Sequence, residues 1–287
     1  MPVSLRGCAN SEQARAFSNT HRDFSLTIPG VILAGGKAKP EMEALTGQSN
    51  RALTLALGRT LLEVVTDALT RAENVGPLTV VGDVPDDPRY GRLPDGGDFV
   101  ANVVAGAQTY PDAEFLLVAT SDLPFLTGPI TADFVRDALA KAAQTNADIL
   151  YPIVPVAECY ARFPNVKRTS LRLREGVFTG GNLMLIRPSF LLARREWIAE
   201  SYAARKSVLK IARILGPGAI LRLAVSQKVL PNLLTLDWLE NRISGMIGAT
   251  GRALICHAPE IATDLDRPSD FAAVGITPQN TGMRAEG

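Results

Sequence analysis

The chain has 287 residues, 46% of them hydrophobic, and a formal net charge of +1. A chain of this length can bury a substantial core without staples, and its near-neutral charge leaves no strong basic field to hold a nucleic-acid backbone. A small-molecule ligand is therefore expected, with no nucleic acid and no membrane as partner; the oligomeric state is not read from the sequence.

The three cysteines, Cys8, Cys159 and Cys256, are far apart and in no metal-ligand spacing. They read as reduced thiols in a reducing, cytoplasmic compartment. His21 and His257 are the only histidines, which excludes a His-rich metal site. Met1 to Asp23 is polar with no apolar core segment, so it is expected to be a tail (residues 1–24) and not a signal peptide.

The first ordered element is expected near Phe24. Ser25 to Gly30 leads into Val31-Ile32-Leu33-Ala34, a short apolar run that ends at Gly35-Gly36 and suits a buried parallel strand. Lys37 to Asn50 reads as a polar loop without a period. Thr60 to Leu69 places Leu61, Val65, Ala68, Leu69 and Ala72 on one helical face. Leu78 to Val81 reads as a strand, Phe99 to Gln108 as a helix, Phe115 to Ala119 as a strand, Thr131 to Ala143 as a helix and Asp148 to Val154 as a strand. This alternation predicts an α/β fold with a doubly wound, mainly parallel sheet and helices on both faces.

Beyond Pro155 the pattern changes. Ser170 to Phe178 reads as a β-hairpin turning at Glu175-Gly176, and Asn182 to Ile186 as a strand. Helices are expected over Pro188 to about Ala204, Val208 to Leu215 and Trp238 to Ile247, with a short strand at Ala253 to Cys256. No linker divides the chain, so residues 25–276 are expected to form a single domain, with 277–287 a frayed tail.

Four segments carry candidate chemistry. Glycines directly after a buried strand let backbone N–H groups approach phosphate oxygens, so Leu33-Ala34-Gly35-Gly36 is either a phosphate cradle or a plain turn. Asp122, in Ser121-Asp122-Leu123-Pro124, follows a buried strand on the ligand edge of the sheet; it either binds Mg²⁺ or forms an Asx turn. Asp264-Leu265-Asp266 offers two carboxylates to one cation, or else Asp266 caps a helix starting at Pro268. Gly180-Gly181-Asn182 suits close contact with a sugar or phosphate, or a β-bulge.

Taken in order, Leu33 to Gly36, Asn50 to Leu53, Gly58 to Glu63, Ser121 to Pro124, Gly180 to Asn182 and Asp264 to Asp270 resemble the MobA-like NTP transferase family, over roughly Ile28 to Phe271. The resemblance implies the nucleotide-diphospho-sugar transferase fold, and an enzyme joining an NTP to a small phosphorylated acceptor with release of pyrophosphate. It implies Mg²⁺ held by Asp122 and Asp266, with Arg51 and Asp122 catalytic. Leu33, Ala34, Gly35, Gly36 and Asn102 would bind the nucleotide, and Gly181, Asn182 and Arg168 the acceptor. The sequence departs from the family at two points. Lys37-Ala38-Lys39-Pro40-Glu41-Met42-Glu43 replaces the usual Ser/Gly loop followed by Arg-Met-Gly, leaving Lys37 or Lys39 to stand in for the arginine. Arg51 stands where a phosphate-binding lysine is usual. Two alternatives share the topology: a glycosyltransferase using a nucleotide-sugar, against which the lack of Asp-x-Asp at Asp122 counts, and a non-catalytic nucleotide-binding protein.

Overall fold

The computed structural model describes residues 27–196, 198, 218, 226 and 233–279. The expected tail 1–24, the end of the helix from Pro188, the helix Val208 to Leu215 and residues 280–287 lie outside the described residues. In chain order the strands are β1 (Ile28–Leu33), β2 (Leu55–Ala56), β3 (Arg59–Thr60), β4 (Val75–Val81), β5 (Gly91–Leu93), β6 (Leu116–Thr120), β7 (Ile149–Pro155), β8 (Leu171–Leu173), β9 (Gly176–Gly180), β10 (Leu183–Ile186) and β11 (Gly251–Ile255). The helices are α1 (Pro40–Thr46), α2 (Leu61–Thr70), α3 (Phe99–Thr109), α4 (Gly128–Thr145), α5 (Val156–Arg162), α6 (Pro188–Ala193), α7 (Leu236–Ile247) and α8 (Pro268–Ala273).

β2 and β3 form their own antiparallel pair, and the other strands form one sheet in the order β5-β4-β1-β6-β10-β7-β9-β8, with β11 beside β7. β9 and β10 run against the remaining seven strands of that sheet, so it is mixed but mostly parallel. Alternation along β1 sorts its side chains between two cores. Ile28 and Ile32 pack with Val65 and Leu69 of α2 and Phe134 and Ala138 of α4. Val31 and Leu33 pack with Val103 and Ala107 of α3 and Leu191 of α6. Each fully buried Val, Leu or Ile contributes about 1.5–3 kcal/mol relative to exposure, which fixes the register of the strand.

Local chemistry sets the helix ends. Thr60 Oγ1 accepts from Glu63 N (3.1 Å) while Glu63 Oε2 accepts from Thr60 N (2.7 Å), a capping box that starts α2. Asp98 accepts from Val100 N and Ala101 N to start α3. Asn146, at φ 48°, ends α4 in the left-handed conformation.

Two expectations need correction. Lys37 to Asn50 is not all loop, since it contains α1. This helix buries only Met42 and Thr46, so a single i,i+4 pair is all the periodicity the sequence could offer. The hairpin turns at Arg174-Glu175, because Leu173 pairs with Gly176, and it extends the edge of the main sheet. Among the described residues no helix is long and apolar enough to cross a membrane.

Candidate active site

The site forms at the carboxyl edge of β1 and β6, where ligands bind in open α/β sheets. Leu33 and Ala34 are buried floor. Ala34 N donates to Val81 O (2.8 Å), and Ala34 O accepts from Asn50 Nδ2 (2.9 Å). Asn50 also donates to Asp83 O (3.1 Å) and accepts from Ala52 N (2.9 Å), so one amide fixes three segments of the pocket wall. A Cβ on Gly35 would stand 2.3 Å from Asp95 Oδ1, and one on Gly36 would stand 2.8 Å from Arg51 Nη2. Both positions are glycine because polar side chains press directly on the backbone. Outside them lies a cavity of about 430 Å³ lined by Gly35, Gly36, Lys37, Ala38, Glu43, Ser49, Asn50, Asp83 and Asp95, of ligand-binding size.

Asn102 stands behind this wall. It is buried, accepts from Gly96 N (2.7 Å) and donates to Asp95 Oδ1 (2.8 Å), so it orients Asp95 against Gly35. Asp95 is not singled out by the sequence, and Asn50 enters there only as the first residue of the Asn50 to Leu53 motif, without a role. The Asp95-Gly96-Gly97 turn ahead of α3 is the signal that could have found Asp95.

Asp122, just past β6, is 4% exposed. Arg51 bridges two carboxylates, with Nη2 3.2 Å from Asp122 Oδ2 and Nη1 2.6 Å from Asp266 Oδ1, and Lys39 pairs with the other oxygen of Asp266. Asp122 Oδ1 is buried and accepts no hydrogen bond within the protein. Leu265 N donates to Asp122 O (3.1 Å), which ties the Asp264–Asp266 loop to the end of β6. α8 is not capped by Asp266. Asp270 takes the N–H groups of Asp266 (3.1 Å) and Arg267 (2.8 Å) instead, which frees the Asp266 carboxylate to meet the two cations.

The charges respond accordingly. Desolvation opposes the Arg51 cation, but Asp122, Asp266 and Asp264 hold its pKa above the ordinary value. Desolvation likewise opposes ionised Asp266, and the hydrogen bonds from Lys39 and Arg51 outweigh it, holding that carboxyl below the usual range. Asp264 is pushed up, first by desolvation among surrounding protein atoms and then by the charge of Asp122, although the residue is exposed to solvent.

Among the described residues no three His, Cys, Asp or Glu side chains converge to hold a metal unaided. Mg²⁺ commonly takes one or two protein carboxylates and completes its shell with substrate oxygens. Asp122, with its unpaired buried oxygen, and Asp266 fit that donor set.

The connection between β9 and β10 bends at Gly181-Asn182. Gly181 N donates to Pro152 O (3.0 Å), Asn182 N to Ile261 O (2.9 Å), and Thr120 N to Asn182 O (3.1 Å). A Cβ on Gly181 would meet Ile261 Cγ2 at 2.7 Å, so this glycine lets the loop before Asp264 pack against the bend. Arg168 donates to Ala262 O and to Thr263 Oγ1 (2.7 Å), holding the chain that leads into Asp264. The structure thus links Gly181, Asn182 and Arg168 to the acidic cluster through the loop it carries. His257 lies away from these contacts, exposed and paired with Glu158 (2.7 Å).

Sheet order, crossing helices and the polar carboxyl edge together define a nucleotide-diphospho-sugar transferase fold. The family described as the MobA-like NTP transferase domain matches residues 30–210, well over half of the chain, and the chain belongs to that family. A hypothetical transferase from Thermus thermophilus is 35% identical, with 86% of this chain and 100% of that one covered and a TM-score of 0.75. The likeness extends, as fold alone, to bifunctional IspDF from Campylobacter jejuni (14% identity, 87% and 55% covered, TM-score 0.52). It extends in the same way to a CMP:2-keto-3-deoxy-manno-octonic acid synthetase complexed with CTP (10%, 87% and 97%, 0.51). No curated protein matches the chain.

Proposed function

We propose that the chain is a Mg²⁺-dependent nucleotidyltransferase that joins an NTP to a phosphate-bearing small-molecule acceptor. The observation that carries this reading is Asp122, a buried carboxylate with one unpaired oxygen, beside a glycine-walled cavity and a second carboxylate at Asp266. In the reaction, an acceptor phosphate oxygen attacks the α-phosphorus of the NTP. A new P–O–P bond forms, the bond from the α-phosphorus to the α,β-bridging oxygen breaks, and pyrophosphate leaves with that electron pair.

Such transfer rests mainly on alignment and charge neutralisation. Backbone N–H groups of Gly35 and Gly36, on the floor made by Leu33 and Ala34, hold the nucleotide, and Asn102 supports them through Asp95. Asp122 and Asp266 would hold Mg²⁺, which supplies, when bound, positive charge to the phosphate oxygens. Arg51, which lies between the two carboxylates, has a planar fork that would suit paired phosphate oxygens. Gly181, Asn182 and Arg168 shape the acceptor side.

The test is pyrophosphate release from each of the four NTPs with a panel of phosphate monoesters, with Mg²⁺ and with chelator. CTP belongs in the panel because the similar synthetase was complexed with it. Release with one NTP, abolished by chelation, is expected. A second reading, non-catalytic nucleotide binding, is favoured by the Arg51 bridge, which already neutralises both carboxylates. Tight NTP binding by calorimetry without release from any pair would select it.

A further inference from the structure

A second cavity lies on the other half of the sheet and differs in kind from the first. It holds about 560 Å³ between the face of β7 and β9 and the helix α7, with Tyr151, Ile153, Leu173, Phe178, Leu239 and Ile243 among its walls. The sheet face is only partly covered: Tyr151 is 43% exposed and Ile243, opposite, 40%. α7 starts on a sound cap, Thr235 accepting from Trp238 N (3.1 Å), yet it buries no residue fully.

The lining is mostly apolar, and its one carboxylate is already engaged. Glu240 accepts from Ala253 N (2.8 Å) and faces Arg252 Nε at 3.7 Å, leaving little for a hydroxyl-rich ligand such as a free sugar. A cavity of this size suits a small molecule, whereas a stable protein partner would need about 800 Å² on each side.

One end of the cavity reaches the connection that borders the candidate active site, where Asn182 O accepts from Thr120 N (3.1 Å), two residues before Asp122. The cavity wall includes Thr179 and Gly180, the residues just before the Gly181-Asn182 bend. Tyr151 packs on Gly180 so closely that a Cβ there would stand 2.4 Å from its hydroxyl. The Tyr151 hydroxyl is pushed up mainly by burial, with a smaller contribution from the charge of Asp264.

From the apolar lining and this adjacency we infer that the cavity seats the apolar body of the acceptor, which is therefore an amphiphilic phosphate monoester with its phosphate toward Asp122 and its hydrocarbon between β7 and α7. This rests on the transfer reading above and names the substrate class for it.

The experiment measures binding of ethyl, butyl, hexyl and octyl phosphate to the full chain by calorimetry, below micellar concentrations and without NTP. Burial of each added methylene is expected to tighten binding about fourfold until the cavity is filled, the equivalent of about 0.8 kcal/mol per group. Ile243→Asp and, separately, Leu239→Asn are expected to flatten that gradient while the thermal shift produced by NTP stays as in the parent. Ile243 is partly exposed, so at least that variant should keep the parent's melting behaviour.

No chain-length gradient in the parent protein would overturn the inference. So would a gradient that survives undiminished in both folded variants, since the hydrocarbon would then sit elsewhere. The two readings fail separately. Pyrophosphate release with short polar phosphates and no gradient sinks the apolar acceptor and leaves nucleotidyl transfer standing. A gradient lost in the variants, without pyrophosphate release from any pair, upholds the cavity and counts against transfer.

Discussion

The two halves of the sheet present cavities of different chemistry. Around β1, β4 and β6 both faces are covered by helices, and the pocket at their carboxyl edge is built of glycine backbone and polar side chains fixed by hydrogen bonds. Around β7, β9 and β11 one face is left partly open, and its cavity is walled by apolar residues that run from buried Leu173 and Phe178 to half-exposed Tyr151 and Ile243. A triphosphate presents the same charged oxygens whatever base it carries, so backbone N–H groups and fixed charges suffice to hold it. An acceptor is individual, and on the proposed reading its recognition would fall to side chains on a less confined face. Damage to the first half is therefore expected to strike nucleotide binding and chemistry, and damage to the second the acceptor.

The sharpest way to break the comparison is at the seam. Asp122→Asn keeps the shape of the side chain but removes its charge. Pyrophosphate release is expected to fall by roughly 10²–10³-fold, the scale for losing one group that stabilises transition-state charge. Melting temperature checks that the fold survives. Retention of most of the activity would remove Asp122 from the chemistry and with it the main support for a metal site.

Gly35→Ala tests the nucleotide half alone. The new methyl group would stand 2.3 Å from Asp95 Oδ1 and 2.6 Å from Asn102 Nδ2, so that pair must move into the pocket. Overpacking of this kind costs about 1–3 kcal/mol, which predicts NTP binding weakened by about tenfold to a hundredfold in calorimetry. Alkyl phosphate binding should be unchanged. Equal losses for both ligands would mean that the halves do not divide the work.

Much of the nucleotide half is legible in the sequence because its signals are local. Val31 to Ala34 is an apolar run ended by two glycines, Thr60 and Glu63 form a capping box three residues apart, and Asp122 follows its strand directly. The acceptor half is less legible because its signals are distant. The apolar wall is made by β7, β9 and α7, separated by many residues, and the exposed apolar residues of α7 look like any amphipathic face. The tie from Arg168 to Ala262 and Thr263 spans more than ninety positions and has no sequence pattern at all. Lys39 meets Asp266 only because α1 folds within a stretch that lacks helical period.

Arg168→Ala separates holding the loop from binding the acceptor. It leaves Ala262 O and Thr263 Oγ1 without their charged donor, at a cost of about 1–3 kcal/mol. A lower melting temperature with reduced turnover is expected, and alkyl phosphate affinity should change less than turnover does. Unchanged stability together with a selective loss of phosphate affinity would instead make Arg168 a direct acceptor ligand.

The smallest expected effect concerns the sign of two charges in one loop. Asp264 has its folded-state pKa raised above the ordinary 3.8, by desolvation and by Asp122, so its contribution to stability is complete below 3.8 and is lost as pH rises through the raised value. Asp266 is the opposite case. Its pKa is held below 3.8 against desolvation by Lys39 and Arg51, so its contribution is present above 3.8 and is lost as pH falls through the lowered value. Asp264→Asn should therefore raise the melting temperature at pH 7, by no more than about 1 kcal/mol in stability because the residue is exposed to solvent, and the gain should vanish below 3.8. Asp266→Asn should lower the melting temperature at pH 7, with the deficit shrinking in acid. Thermal melts of the two variants from pH 3 to pH 7 thus give curves of opposite slope. If Asp264→Asn is destabilising at pH 7, the Asp264 charge is held by a favourable contact, and the acidic cluster is built as three partners of the cations instead of two carboxylates and a repelled third.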